Sequence, residues 1–366
     1  MGKTKLWLTL FTLLVLAGMN CNQLPTKTAS TSTGISSTGT LHLPLIDSSI
    51  AFLDHPDGHT NIFLIQPDGS RRIRLTDHQG IDSQITWSPD GRRIAFVSER
   101  SGNTDIYVVD VENARETRLT EDDASDFHPA WSPDGQEIAF VSARTGSLKI
   151  HLMNADGTNV RRLVSGMTDR SETFPSWSPD GGQIAFSVGD PTGTKVICVV
   201  NRDGSDERIL TSQLDRADYP QWAPDGRYIA FTVAMRIEES GIALENRVGL
   251  VQPNGQGLHV LKVGTLSDWY PVWSPDGHKL ALAAYSTEGE GVLVVLDVDS
   301  QQKKVLTSPV RSWGLTWAPG GDRIAYMPAN KQGIWIIGVD GSGNYKLTDW
   351  GEAPVWAPFR KQTRPE

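Results

Sequence analysis

Apolar residues in this chain come in short runs with the length and composition of β-strands, divided by turn-forming residues. The run Ile-Ala-Phe stands at Ile94 to Phe96, Ile138 to Phe140, Ile184 to Phe186 and Ile229 to Phe231, with related runs at Ile50, Leu280 and Ile324. Before each lies a second run that ends in tryptophan, commonly as Pro-x-Trp: Trp87, Trp131, Trp177, Trp222, Trp273, Trp317 and, last in the chain, Trp356. The two runs are joined by Trp-Ser-Pro-Asp-Gly starting at Trp87, Trp131, Trp177 and Trp273. Trp222 to Gly226 reads WAPDG, Trp317 to Gly321 reads WAPGG, and Trp356-Ala357-Pro358 is a truncated copy.

Ser-Pro-Asp-Gly suits a tight turn: proline presets φ for the second position, aspartate suits the third, and glycine accepts positive φ. Asp68-Gly69, Asp156-Gly157, Asp203-Gly204, Asn254-Gly255 and Asp340-Gly341 mark a second hairpin, downstream of strand-like segments such as Asp105 to Asp110 and Gly333 to Val339. A fourth strand is expected to end in Arg-Leu-Thr or a relative, at Arg74 to Thr76, Arg118 to Thr120 and Lys346 to Thr348. Four antiparallel strands in each repeat of about 44 residues describe a propeller blade. The repeat region opens on an Ile-Ala-Phe strand without its Trp partner and closes on a Trp strand without its Ile-Ala-Phe partner. The expected fold is therefore all-β: one seven-bladed propeller over residues 49–358, with residues 352–357 pairing to the strand at Ile50. Such a closure leaves no open sheet edge at the seam.

Outside the repeats, residues 1–20 read as an export signal: Lys3 and Lys5, then an apolar run from Leu6 to Ala17 too short to span a bilayer. Leu16-Ala17-Gly18 ahead of Cys21 resembles a lipoprotein signal, although Met19 and Asn20 intervene. The resemblance implies lipidation of Cys21; the alternative is plain secretion after cleavage near Ala17. Residues 21–48, rich in Ser, Thr and Gly, read as a flexible tether, and residues 359–366 as a short tail. The net charge of −9, without a basic cluster, argues against a nucleic-acid partner. Two cysteines, Cys21 and Cys198, imply no disulfide framework, and Cys198 reads as a small apolar filler of a strand.

The phrase Pro-x-Trp-Ser-Pro-Asp-Gly-x-x-Ile-Ala-Phe, with Leu-Thr upstream, resembles the TolB-type propeller repeat, and five of the seven sites keep Pro-Asp-Gly. Similar repeats occur in TolB, in the propellers of prolyl-oligopeptidase-like and tricorn-like peptidases, and in some pectate-degrading lyases. TolB carries six blades behind an α/β domain, whereas here a tether is expected before the first strand, so a Tol–Pal role does not carry over. The peptidases place a catalytic α/β-hydrolase domain after the propeller; here eight residues follow the last repeat, and no Gly-x-Ser-x-Gly elbow is found.

The Ser-Pro-Asp-Gly and Asp-Gly turns are expected on one face of the ring, and longer, variable loops on the other, where binding is usually placed. Asp82, Asp126, Glu172 and Asp268 stand five residues ahead of their tryptophans, Asp218 and Glu352 four ahead. Beside them come Phe127, His128, Phe174, Tyr219, Trp269, Tyr270 and Trp313. These residues are expected to rim the mouth of the central channel as an acidic ring with aromatic walls, suited to a basic peptide, a cationic ligand or a metal ion. The alternative is repeat architecture, with acids capping turns and aromatics packing between blades. His55, His59, His78 and His128 would have to converge with Asp57 or Asp82 to hold a metal, as a lyase requires. The expected function is a non-catalytic, monomeric, exported scaffold that binds a protein or peptide at the cell envelope, without a cofactor and touching membrane only through a lipid. A metal-dependent polysaccharide lyase and a small-molecule or sugar sensor are the alternatives.

Overall fold

Each sequence repeat folds as one four-stranded antiparallel sheet, and among the described residues there are seven such sheets. The computed structural model describes residues 48–163, 170–214, 216–236, 244–264, 267–285 and 291–358. Residues 1–47, expected to form an export signal and a tether with Cys21, and residues 359–366, expected as a tail, lie outside the described residues. So do most of the long loop between Val233 and Asn246, residues 286–290, and the side chain of Trp269.

Blade 2 shows the plan: Asp82–Trp87, Arg93–Ser98, Asp105–Asp110 and Glu116–Arg118, paired in that order. Blade 1 is composite. Its innermost strand is Glu352–Trp356, which pairs with Ile50–Asp54 through Ile50 opposite Trp356 and Ala51 opposite Val355. The innermost strands touch their neighbours all the way round the ring, so seven blades close on themselves.

The turn chemistry repeats in each full copy. Gly91 N donates to Ser88 O at 2.9 Å, and Gly135 and Gly181 make the same bond. These glycines adopt positive φ, from 64° at Gly91 to 71° at Gly181. Ser88, Ser132, Ser178 and Ser274 each donate their hydroxyl to the aspartate two residues on. That aspartate in turn accepts a backbone N–H two residues further along, which pins the turn from inside.

The Ile-Ala-Phe strands are buried on both faces because each blade is sandwiched between two others. Ile94 and Phe96 pack with Trp87 against blade 1, whereas Ala95 faces Trp131, Ile138 and Phe140 of blade 3. The core is thus a ring of seven inter-blade layers, the last joining Phe52 of blade 1 to Ile336 of blade 7. Cys198 lies within one such layer, fully buried.

One expectation is corrected. The outer strands end at Arg74, Arg118 and Lys346, before the Leu-Thr pair. Leu75 and Leu119 turn inward as buried core residues. The threonine hydroxyl then accepts a backbone N–H of the blade's third strand: Ile62 on Thr76 at 2.9 Å, Ile106 on Thr120 at 3.0 Å. Leu-Thr is therefore a buried cap that frees the chain to cross to the next blade.

Candidate functional site

The innermost strands share an irregularity that builds the site. In blades 2 to 6 the pairing with the second strand slips between the fourth residue before Trp and the residue next to it, as between Ser83 and Thr86 or Asp218 and Gln221. Within each slip, three residues before Trp, the backbone is left-handed: Gln84, His128, Phe174, Tyr219 and Tyr270 have φ between 46° and 57°. Ala353 (48°) and Gly314 (79°) hold the matching places in blades 1 and 7. Five of these residues precede a proline, which has no N–H for the ladder and so suits a bulge, although Gln84 makes the same one ahead of Ile85. A left-handed backbone at a bulky aromatic residue is a real outlier and costs on the order of 1–3 kcal/mol.

The strained residues meet. His128 and Phe174 lie with ring centroids 4.2 Å apart, Phe174 and Tyr219 at 4.1 Å, and Tyr219 and Tyr270 at 5.0 Å. Phe127 sets its edge against His128 at 5.4 Å, and Gln84 Oε1 accepts the His128 backbone N–H at 2.6 Å. Equivalent residues of successive blades come this close only at the axis, so blades 3 to 6 present a continuous arc of rings at the channel. Blades 7 and 1 offer Gly314 and Ala353 in the same places, so the row of rings stops there. The arc residues are half-buried. Burial, with the charge of Lys195 adding to it, holds the His128 imidazole down at about 4, so the arc is uncharged at neutral pH. Burial also raises the Tyr219 phenol above its usual range.

The acidic residues do not form an open ring. Asp82, Asp126, Glu172, Asp218 and Asp268 are all buried, and each has a basic partner. Asp82 accepts the Thr76 hydroxyl at 2.7 Å and pairs with His78 at 2.9 Å and Arg100 at 3.3 Å. Asp126 pairs with Arg144 at 3.0 Å, Glu172 with Lys149 at 3.1 Å, and Asp218 with Lys195. Asp268 accepts two backbone N–H bonds, from Val263 and Gly264, and faces Arg247 at 3.6 Å. Burial pushes the Asp126 and Asp268 carboxyls up despite these partners. The five carboxylates are thus engaged inside the fold: Glu172, Asp218 and Asp268 face a base of the blade before, Asp82 and Asp126 an arginine of their own blade. Glu352 differs: it is half-buried and has no ion pair or side-chain hydrogen bond among the described residues. Trp313 is half-buried under the Arg311 guanidinium, 5.7 Å from its ring, and Trp269 is placed by its backbone alone, opposite Ala283.

The histidines do not converge. His55 is exposed, His59 half-buried, and His78 is held between Gly80 N–H on Nδ1 and Asp82 on Nε2. Among the described residues no group of three or more His, Cys, Asp or Glu side chains is placed to hold a metal ion.

Comparisons with known proteins agree with this architecture. Over 47 residues the chain is 40% identical to the Tol-Pal system protein TolB of Syntrophotalea carbinolica, a stretch covering 13% of this chain and 11% of that protein. Among solved structures, an oligogalacturonate lyase of Vibrio parahaemolyticus matches with a TM-score of 0.64 at 15% identity, over 83% of this chain and 85% of that one. TolB of Acinetobacter baumannii matches with a TM-score of 0.54 at 17% identity, over 86% and 83%. A puromycin-hydrolyzing peptidase of Mycobacterium tuberculosis matches with 0.61 at 17% identity, over 82% of this chain and 52% of that one. At these identities the likeness is one of fold. The family description "TolB beta propeller domain" (PD40), by contrast, fits residues 47–249 and 175–360, the whole ring of blades, and the chain belongs to that family.

Proposed function

We propose that this propeller is a non-catalytic scaffold at the cell envelope, holding a segment of a protein or peptide partner at its axial mouth. The observation that carries the reading is the aromatic arc. Four ring-bearing residues on consecutive blades sit in strained, left-handed backbone, although Gly314 shows that glycine fills the same place without strain. Strain kept at a solvent-facing wall points to binding rather than to folding. With five carboxylates committed internally, recognition rests on stacking and apolar contact with the arc.

Replacing Phe174 by the photoreactive residue benzoylphenylalanine tests this directly. Irradiation with an envelope fraction should join the protein to a defined partner, and the same group at Val305, which is 58% exposed on an outer strand, should not. The reading fails if position 174 captures nothing, or nothing that Val305 does not.

A further inference from the structure

The protein builds one arrangement repeatedly within its own blades. An arginine lies over an aromatic ring and directs its fork at a carboxylate. Arg72 stands 4.6 Å from the Phe63 ring and pairs with Asp54. Arg100 stands 4.4 Å from Tyr107 and pairs with Asp82. Arg144 stands 5.3 Å from Phe140 and pairs with Asp126. In each, the flat cation gains from the ring face and from a charge-assisted hydrogen bond together.

On blade 1 an exposed aromatic residue stands two positions before a rim carboxylate that has no arginine partner among the described residues. Trp350 is 55% exposed, the largest side chain left so open among the described residues, and makes no ring contact with another of them. Two residues on stands Glu352, the rim carboxylate with no basic partner among the described residues.

We propose that Trp350 and Glu352 seat one arginine side chain of the partner segment, its guanidinium over the indole and its fork on the carboxylate. This deepens the scaffold reading and rests on it. The charge balance favours this occupant: the five buried rim acids are matched by bases, whereas half-buried Glu352 faces none among the described residues.

The test uses N-acetyl-arginine amide and its citrulline and lysine counterparts as probes, with binding to the full chain followed by ligand-detected NMR at low salt. The arginine probe should bind about tenfold more tightly than citrulline, which has the shape without the charge. Glu352→Gln and Trp350→Ala should each remove that preference. Trp350 is exposed and Glu352 half-buried, so the melting temperature serves as the control for folding. Equal binding of arginine and citrulline, or an unchanged preference in Glu352→Gln, overturns the proposal. Lysine binding as well as arginine overturns the planar seat. A partner lost on changing Phe174 but indifferent to Glu352→Gln would leave the scaffold reading standing and remove this one.

Discussion

Trp87 Nε1 donates a hydrogen bond of 3.0 Å to the carbonyl of Val355, a residue 268 positions further along the chain. The same bond joins Trp177 to Ala130, Trp273 to Gln221 and Trp317 to Val272. Trp131, Trp222 and Trp356 have no partner for their indole N–H among the described residues. The residue ahead of the previous blade's tryptophan is then Thr86, Ser176 or Thr316. In two of these cases its hydroxyl takes the next backbone N–H instead, Trp222 N on Ser176 and Trp356 N on Thr316.

Trp87→Phe should therefore destabilise the protein by about 1 kcal/mol more than Trp131→Phe, the value of one hydrogen bond. Denaturant melts of the two variants check this. Trp131→Ala, a large-to-small change at a buried residue, should cost about 3–5 kcal/mol.

Phe174→Gly should behave quite differently from Trp177→Ala, only three residues away. Release of left-handed strain offsets most of the lost packing, so the stability change should stay within about 1 kcal/mol. Partner capture should nevertheless fall sharply. Stability lost on the scale of Trp177→Ala would show that the arc is core rather than binding surface.

Acid should act through His128, alongside His151, which burial also holds below the ordinary value. The folded value of about 4 for His128 lies below the ordinary 6.5, so the unfolded chain takes up the proton earlier. Stability is then complete above pH 6.5 and declines as the pH falls toward 4, by about 1–2 kcal/mol at pH 5 for this half-buried group. His128→Gln, which copies Gln84 of the preceding blade, should flatten that limb in melts between pH 7 and pH 5.

A second acid limb belongs to the turns. Burial opposes ionisation of Asp134, but hydrogen bonds from Ser132, Arg202 and the Gln136 backbone outweigh it and hold the carboxyl at about 2. Its contribution is present above pH 4 and is lost as the pH falls from there toward 2. Ser132→Ala should move that loss to higher pH in an acid titration followed by circular dichroism.

Cys198 should resist thiol reagents in the native protein. Burial raises its thiol to about 12, and no strand edge exposes it. Labelling with a thiol-specific dye should proceed only at the rate of unfolding.

The repeat made the fold readable. Seven tryptophans, the turn Ser-Pro-Asp-Gly and the unpaired runs at Ile50 and Trp356 identify blade number and closure, because each unit needs its neighbour to bury Ile94-type and Trp87-type residues. The rim was harder to read, since its partners follow no single spacing. Asp126 is neutralised by Arg144 of its own blade, Glu172 by Lys149 of the blade before, and Asp218 by Lys195, also of the blade before. The left-handed turn of the backbone at His128 or Tyr219 was hidden by the proline that follows, which ordinarily biases its predecessor toward extended geometry. The one signal was proline within a strand, at Pro129, Pro175, Pro220, Pro271 and Pro354.

Because blade 1 takes its innermost strand from Glu352–Trp356, the circle cannot shut until that strand has been made, long after Ile50–Asp54. Until then Ile50–Asp54 waits with a bare edge, and Trp87 has no carbonyl to reach. Closure of the ring thus rests on one short segment, and loss of Glu352–Trp356 would strip the first blade of its innermost strand.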